Sequence, residues 1–154
     1  MRGGLVAEGK AAPDFTLTSD SGEQVQLSSL RGKPVVLYFY PKDDTPGCTT
    51  QAVSIRDNWG EFGKIGAQVI GVSPQNAASH RKFKEKYGLP FPLLADTDHS
   101  VFDAYDVANR LSSLGQRPAV FVVDRGGIVR FDSIGTQQWQ IPSNDTVLAE
   151  AAKL

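Results

Sequence analysis

The sequence has 154 residues, of which 40% are hydrophobic, and sixteen basic against seventeen acidic residues leave a net charge of −1. This charge gives no reason to expect a nucleic-acid or membrane partner, and no segment is apolar for long enough to span a bilayer. With one cysteine, no disulfide forms within the chain. We therefore expect a cytoplasmic protein whose residues 1–154 form a single domain, with residues 1–10 as a loosely held lead-in.

The N-terminal part of the sequence predicts a β-hairpin followed by a buried strand. Apolar and polar residues alternate over residues 14–18 and 24–27, with a turn-forming cluster between them. Residues 34–40 are continuously apolar or aromatic, which is typical of a central strand that is covered on both faces.

A helix is predicted from about residue 45 to residue 62. Thr45 is a suitable N-cap, Pro46 is a favoured first helical residue, and Gly63 is suited to end the helix. The apolar positions follow one another in steps of four and three: Cys48, Ala52, Ile55, Trp59 and Phe62. This spacing gives one face of the helix to the core.

The rest of the sequence alternates strand and helix patterns. A buried strand is predicted over residues 68–72, and a helix from Ser73-Pro74 to Gly88. An extended segment at 89–94 and a short helix at 100–105 follow. A buried strand at 117–124, its hairpin partner at 128–131 and a closing helix complete the chain. The order predicts an α/β protein of the thioredoxin-like fold, with a central mixed sheet flanked by helices.

Cys48 is the residue with the most specific chemical context. As the third helical residue it lies beside the free N–H groups and the positive end of the helix dipole, which favour the reactive thiolate. An inert core cysteine is the alternative. Thiol exchange through Cys-x-x-Cys is excluded because Gln51 occupies the second position. His80 and His99 show no zinc-ligand spacing, and neither shows the context of a catalytic base.

A thiolate of this kind is suited to attack a peroxide, and the attack converts the cysteine to a sulfenic acid.

On its helix, His80 falls on the inward stripe, but a surface or boundary position is the favoured interpretation. Asp43 and Asp44 are expected to be solvated charges of the loop before the helix.

The pattern Pro41-x-x-x-Thr45-x-x-Cys48, within residues 39–49, resembles the active-site motif of the peroxiredoxins, and the wider run resembles their bacterioferritin-comigratory or Q-type subgroup. The resemblance extends over roughly residues 10–135. It implies that Cys48 is the peroxidatic cysteine and that Pro41 shields it. It also implies that Thr45, Arg117 and the backbone N–H groups at Gly47 and Cys48 bind the peroxide. No metal or other cofactor is implied.

Two positions depart from the subgroup pattern. Many relatives carry a resolving cysteine where this chain has Val53, and many have Glu where it has Gln51. We therefore expect a one-cysteine enzyme whose sulfenic acid is reduced by an external thiol: thioredoxin, glutaredoxin or a low-molecular-weight thiol. A peroxide sensor or chaperone-like redox protein that uses the same cysteine is the alternative. A monomer is expected, with a dimer as the second possibility.

Overall fold

The computed structural model describes residues 8–40, 42–44, 46–105, 107, 119–134 and 144–154. Within these ranges the strands are β1 (Thr16–Ser19), β2 (Gln24–Gln26), β3 (Val35–Phe39), β4 (Gln68–Ser73), β5 (Leu93–Ala95), β6 (Ala119–Val123) and β7 (Val129–Ile134). The helices are α1 (Pro46–Asp57), α2 (Trp59–Lys64), α3 (Ala77–Tyr87), α4 (Ser100–Ala104) and α5 (Asn144–Ala152), with a short 3-10 helix at Leu27–Leu30. The seven strands form one mixed sheet in the order β2-β1-β5-β4-β3-β6-β7.

Strand β3 lies inside the sheet, as its continuous apolar sequence predicts. It pairs in parallel with β4 and antiparallel with β6, so that both of its edges are hydrogen-bonded. All five of its residues are buried. The chain leaves the sheet after β3 and reaches α1 through residues 40–45, so the start of α1 lies at the carboxyl end of a central strand.

Helix α1 begins at Pro46, as predicted, but the expected single helix to Phe62 is divided. Helix α1 ends at Asp57, and α2 begins at Trp59. At the break, Nδ2 of Asn58 donates to the carbonyl oxygen of Ser54 at 2.8 Å. The prediction of one helix was wrong because Asn58 leaves the helical conformation (φ −107°, ψ 19°) and becomes the N-cap residue of α2.

Helix α3 begins later than the sequence predicted. The predicted cap, Ser73, is the last residue of β4 and is fully buried. The N-cap is Asn76 instead, whose side chain accepts a hydrogen bond from Ser79 N at 2.9 Å. At the other end the prediction is confirmed: Gly88 has the left-handed conformation (φ 62°) that favours glycine, and its N–H donates to Lys84 O.

The side chains of β3 alternate between two hydrophobic clusters. The Phe39 face contains Leu37 and Phe39 together with residues of β6 and α4. The Cys48 face contains Val36, Tyr38 and Tyr40 of the same segment, together with residues of α1, α3 and α5. Cys48 therefore packs on the opposite side of the sheet from Phe39.

The first described residues lie against β7, at one edge of the sheet. Gly9 N donates to Val129 O at 2.8 Å and Val129 N donates to Lys10 O at 2.9 Å, so residues 9 and 10 are held against β7. Among the described residues, no helix is long and apolar enough to cross a membrane.

Candidate active site

Cys48 is the third residue of α1 and is fully buried. The first turn of a helix has N–H groups without acceptors in the helix itself, and its dipole adds positive potential there. The first turn of α1 has no acidic residue to oppose this potential. The sulfur thus lies where a helix favours the thiolate over the thiol.

Tyr38 brings a hydroxyl group to Cys48 from β3. The hydroxyl donates to the backbone oxygen of Cys48 at 3.3 Å. Burial raises the pKa of Tyr38 well above its ordinary value, and the charge on Cys48, a hydrogen bond to its side chain and the charge on Asp43 raise it further. Tyr38 therefore stays protonated and acts as a neutral donor beside the sulfur.

Tyr40 connects the same region to the loop before α1. Its ring stacks on Tyr38 with centroids 5.1 Å apart, and its hydroxyl donates to Oδ1 of Asp43 at 2.6 Å. Burial raises the pKa of Tyr40 well above its ordinary value, with Asp43 as the next contribution. The hydroxyl is therefore a fixed donor to the carboxylate.

Asp43 is buried, so the prediction of a solvated loop charge was wrong for this residue. Its Oδ2 lies 2.8 Å from Nδ1 of His80 and accepts from the hydroxyl of Ser79 at 2.7 Å. Its backbone N–H donates to the side chain of Gln75 at 3.0 Å. Because these partners come from α3 and the turn before it, Asp43 fixes the loop before Cys48 to that helix.

His80 is also buried, and its expected surface or boundary position was wrong. Its Nε2 lies 3.0 Å from the carbonyl oxygen of Leu94 in β5. The spacing of apolar residues was the better guide to its burial, because it places His80 and Phe83 on the same inward stripe of α3. The partners that stabilise a polar ring there come from distant parts of the sequence.

Asp44 is exposed, as predicted, but it is paired. Lys86 Nζ lies 2.7 Å from Oδ2, and the hydroxyl of Tyr87 donates to Oδ1 at 2.6 Å. These hydrogen bonds, with Lys86 first, hold the pKa of Asp44 below its ordinary value. Arg56 of α1 also donates to Tyr87 O at 2.6 Å, so α3 contacts both the loop and α1.

The remaining predicted site residues are only partly described by the structure. Pro41, Thr45 and Arg117 lie outside the described residues, and their roles stay predictions. Gly47 lies in the first turn of α1, and its role in binding peroxide also stays a prediction. Val53 is half-buried on α1 and lines a shallow groove with Thr49 and Ser54, among others. No group of potential metal ligands occurs among the described residues.

The family model described as AhpC/TSA family matches residues 8–132 of the sequence. The chain belongs to this family. Within the family its relatives are of the peroxiredoxin Q and Bcp type. It is 46% identical to peroxiredoxin Bcp of Bacillus subtilis over 124 residues, which cover 77% of this chain and 79% of the relative.

A chloroplastic peroxiredoxin Q from rice is 47% identical over 128 residues, which cover 83% of this chain and 59% of the relative. The chain therefore spans about three fifths of the length of this plant relative. Among solved structures, peroxidoxin BcpB from Mycobacterium tuberculosis superimposes with a TM-score of 0.86 at 30% identity and covers 97% of this chain and 98% of its own. This similarity confirms the predicted thioredoxin-like fold.

Three residues near Cys48 in the structure were not predicted to belong to the site: Tyr38, Asp43 and His80. A signal for Tyr38 was available, because the alternation of side chains along β3 and into residue 40 places residues 36, 38 and 40 on one face, and α1 begins a few residues later. The pairing of Asp43 with His80 had no comparable signal, since 37 positions separate them in the sequence.

Proposed function

We propose that this protein is a thiol peroxidase that reduces hydrogen peroxide and organic hydroperoxides through Cys48 and is regenerated by an external thiol. The observation that carries the proposal is the position of Cys48, buried at the third residue of α1 and beside the hydroxyl of Tyr38. The family of the chain supports it, and so does the chain's similarity to the bacterioferritin comigratory protein of Xanthomonas campestris, which has alkyl peroxide reduction activity.

The first half of the reaction oxidises the cysteine. The Cys48 thiolate attacks one peroxide oxygen, an S–O bond forms, and the O–O bond breaks. Cys48 becomes a sulfenic acid, and the second oxygen leaves as hydroxide or alkoxide, which takes a proton from solvent to become water or alcohol. Arg117 and Thr45 are proposed to donate hydrogen bonds to this oxygen as its negative charge develops, and Pro41 is proposed to keep water from the sulfur.

The second half restores the cysteine without a partner in the chain. One external thiol attacks the sulfenic sulfur, which releases water and forms a mixed disulfide with Cys48. A second thiol attacks the mixed disulfide, releasing Cys48 and an oxidised disulfide of the reductant. The sequence has no second cysteine, which supports this one-cysteine route. We also propose that the protein works in the cytoplasm, where thiols are kept reduced.

Peroxide consumption with thioredoxin, glutaredoxin and a low-molecular-weight thiol, tested side by side, measures this function. We expect many equivalents of peroxide to be consumed with at least one reductant, and no consumption by Cys48→Ser. Consumption that stops near one equivalent with every reductant would favour a peroxide sensor. Activity that survives in Cys48→Ser would exclude Cys48 as the nucleophile.

The role of Arg117 is tested separately. We expect Arg117→Ala to raise the pKa of the Cys48 thiol and to slow its oxidation, because a cation near a thiolate stabilises it. Arg125→Ala is the matched control, since Arg125 is an exposed arginine that donates to Gly32 O at 2.8 Å. Equal effects of the two substitutions would contradict the assignment.

A further inference from the structure

The polar groups around His80 determine where its hydrogens lie. Nε2 faces the carbonyl oxygen of Leu94 at 3.0 Å, and a carbonyl only accepts, so Nε2 carries a hydrogen. Nδ1 faces Oδ2 of Asp43 at 2.8 Å. Two lone pairs at this distance would repel each other, so a second hydrogen lies between Nδ1 and Oδ2.

This second hydrogen makes the Asp43–His80 pair neutral as a whole. The pair is either an imidazolium with a carboxylate or a neutral imidazole with a carboxylic acid, and both forms contain the same single shared proton. The side chains of His80 and Asp43 are 0% and 4% exposed. An unpaired charge would be costly at such a position, so burial and geometry both favour a pair that shares one proton.

Two tyrosines connect the Asp43–His80 pair to Cys48. Asp43 accepts from Tyr40, Tyr40 stacks on Tyr38, and Tyr38 donates to the backbone of Cys48. The charges of both Asp43 and Cys48 act on the hydroxyls of Tyr38 and Tyr40. A bare carboxylate at Asp43 would therefore oppose the formation of a thiolate at Cys48.

We propose that His80 is a positioning residue for the peroxidatic cysteine: it shares a buried proton with Asp43, which holds the loop before α1 in place without leaving a net negative charge beside Cys48. This proposal rests on the proposed function, because it assigns His80 a part in making Cys48 reactive. His80 touches neither the sulfur nor the peroxide in this scheme. It acts through Asp43.

Two hydroxyl groups also contact the Asp43–His80 pair. Tyr40 and Ser79 donate to Asp43, and the pKa values of Tyr38 and Tyr40 lie well above their ordinary value, so both tyrosines stay neutral. Asp44 of the loop before α1 forms an ion pair on the surface with Lys86 of α3, and the two charges cancel. The shared proton therefore decides whether Asp43 itself contributes a negative charge near the Cys48 thiolate.

The test uses a substitution that copies the hydrogen bonds of Asp43 without its charge. In Asp43→Asn, the amide oxygen accepts from Tyr40, and the amide group donates to Nδ1 of a neutral His80 and to the hydroxyl of Ser79. In His80→Gln, by contrast, Asp43 remains but loses the proton that it shares. The double variant, which combines Asp43→Asn with His80→Gln, removes both the shared proton and the carboxylate.

The pKa of the Cys48 thiol is read from the ultraviolet absorbance of its thiolate against pH, with Cys48→Ser protein as the blank. Cys48 is the only cysteine, so the signal has one source and requires no peroxidase activity. We expect His80→Gln to raise this pKa by about 1 and to slow peroxide oxidation by up to about tenfold at pH values below the pKa of the thiol. Asp43→Asn and the double variant should both have a pKa near that of the unmodified protein.

The double variant separates an electrostatic role of His80 from a packing role. If His80 acted only through packing, adding Asp43→Asn would not restore the pKa of the Cys48 thiol in His80→Gln. Failure of the rescue, or an unchanged pKa in His80→Gln, would overturn the proposal. His99→Gln changes the other histidine in the same way and should have no effect on Cys48.

Nuclear magnetic resonance of the unmodified protein tests the shared proton directly, even if His80→Gln does not fold. We expect a strongly downfield proton bonded to Nδ1 of His80 or shared with Asp43, absent in Asp43→Asn. A neutral His80 with an unprotonated Nδ1 facing an ionised Asp43 would contradict the proposal. A protein that shows the shared proton and the rescue but no peroxide turnover would instead refute only the proposed function.

Discussion

The two faces of β3 show how one strand serves both stability and chemistry. On the Phe39 face, Phe39 meets the rings of Phe102 and Phe121 edge-on, with centroids 5.2 and 5.6 Å away. On the Cys48 face, Tyr38 and Tyr40 place hydroxyl groups beside Cys48 and Asp43. Alternation along a strand thus lets an apolar core support a polar site without weakening it.

The Phe39 face should be the more sensitive to loss of volume. We expect Phe39→Ala to lower the free energy of unfolding by about 3–5 kcal/mol, because it leaves a cavity among buried rings. Urea denaturation measures this loss. In the folded fraction the pKa of the Cys48 thiol should not change, and a change as large as that caused by His80→Gln would show that the two faces are not independent.

Loss of one hydroxyl should affect the two faces differently. Tyr40→Phe removes a donor to a buried carboxylate and should cost about 1.5–3 kcal/mol, whereas Tyr105→Phe on the Phe39 face removes a donor to Pro13 O and should cost about 0.5–1.5 kcal/mol. Only Tyr40→Phe should also change the pKa of Cys48. Equal effects of the two substitutions on stability and on Cys48 would contradict the comparison.

Gly71 of β4 tests how tightly the Cys48 face is packed. An added Cβ would lie 2.8 Å from Leu93 Cδ2 and 3.3 Å from Tyr40 Cε1. We expect Gly71→Ala to cost about 1–3 kcal/mol and to slow peroxide oxidation as Tyr40 is displaced. Gly60→Ala is the control, since a Cβ there meets nothing within 4 Å.

The smallest effect is expected far from both faces, at the turn between β6 and β7. Burial raises the pKa of Asp124, but hydrogen bonds from Ile128, Arg130 and Gly126 more than offset it, so the pKa lies below its ordinary value. A lowered pKa adds stability above the unfolded pKa, and this stability is lost as pH falls through the folded pKa. Asp124→Asn should therefore cost about 1 kcal/mol at neutral pH and less below about pH 4. Thermal unfolding at both pH values measures this, and Cys48 should be unaffected.

Features fixed by local chemistry could be predicted from the sequence. The run of buried residues in β3, the start of α1 at Pro46 and the end of α3 at Gly88 each depend on a few neighbouring residues. The break at Asn58 and the late start of α3 could not, because side chains there compete with backbone hydrogen bonds in ways that spacing does not show.

In the candidate site, too, some features could be predicted from neighbouring residues and others could not. The position of Cys48 on α1 followed from its local motif. The burial of Asp43 and His80 did not, because Tyr40, Ser79 and Leu94 must all come together to satisfy them. A charged or polar side chain is predicted to be solvated until its partners are known, and these partners come from three separate parts of the chain.

The place of β6 beside β3 has a consequence for the protein during its synthesis. Tyr38 pairs with Val120, so about half of the chain is made between the two strands. Domains are translated from the N-terminus at roughly 5–20 residues per second. Cys48 therefore emerges from the ribosome several seconds before β6, the strand that pairs with the second edge of β3. Over that interval the nascent thiol depends on the cell's reductants for protection against oxidation.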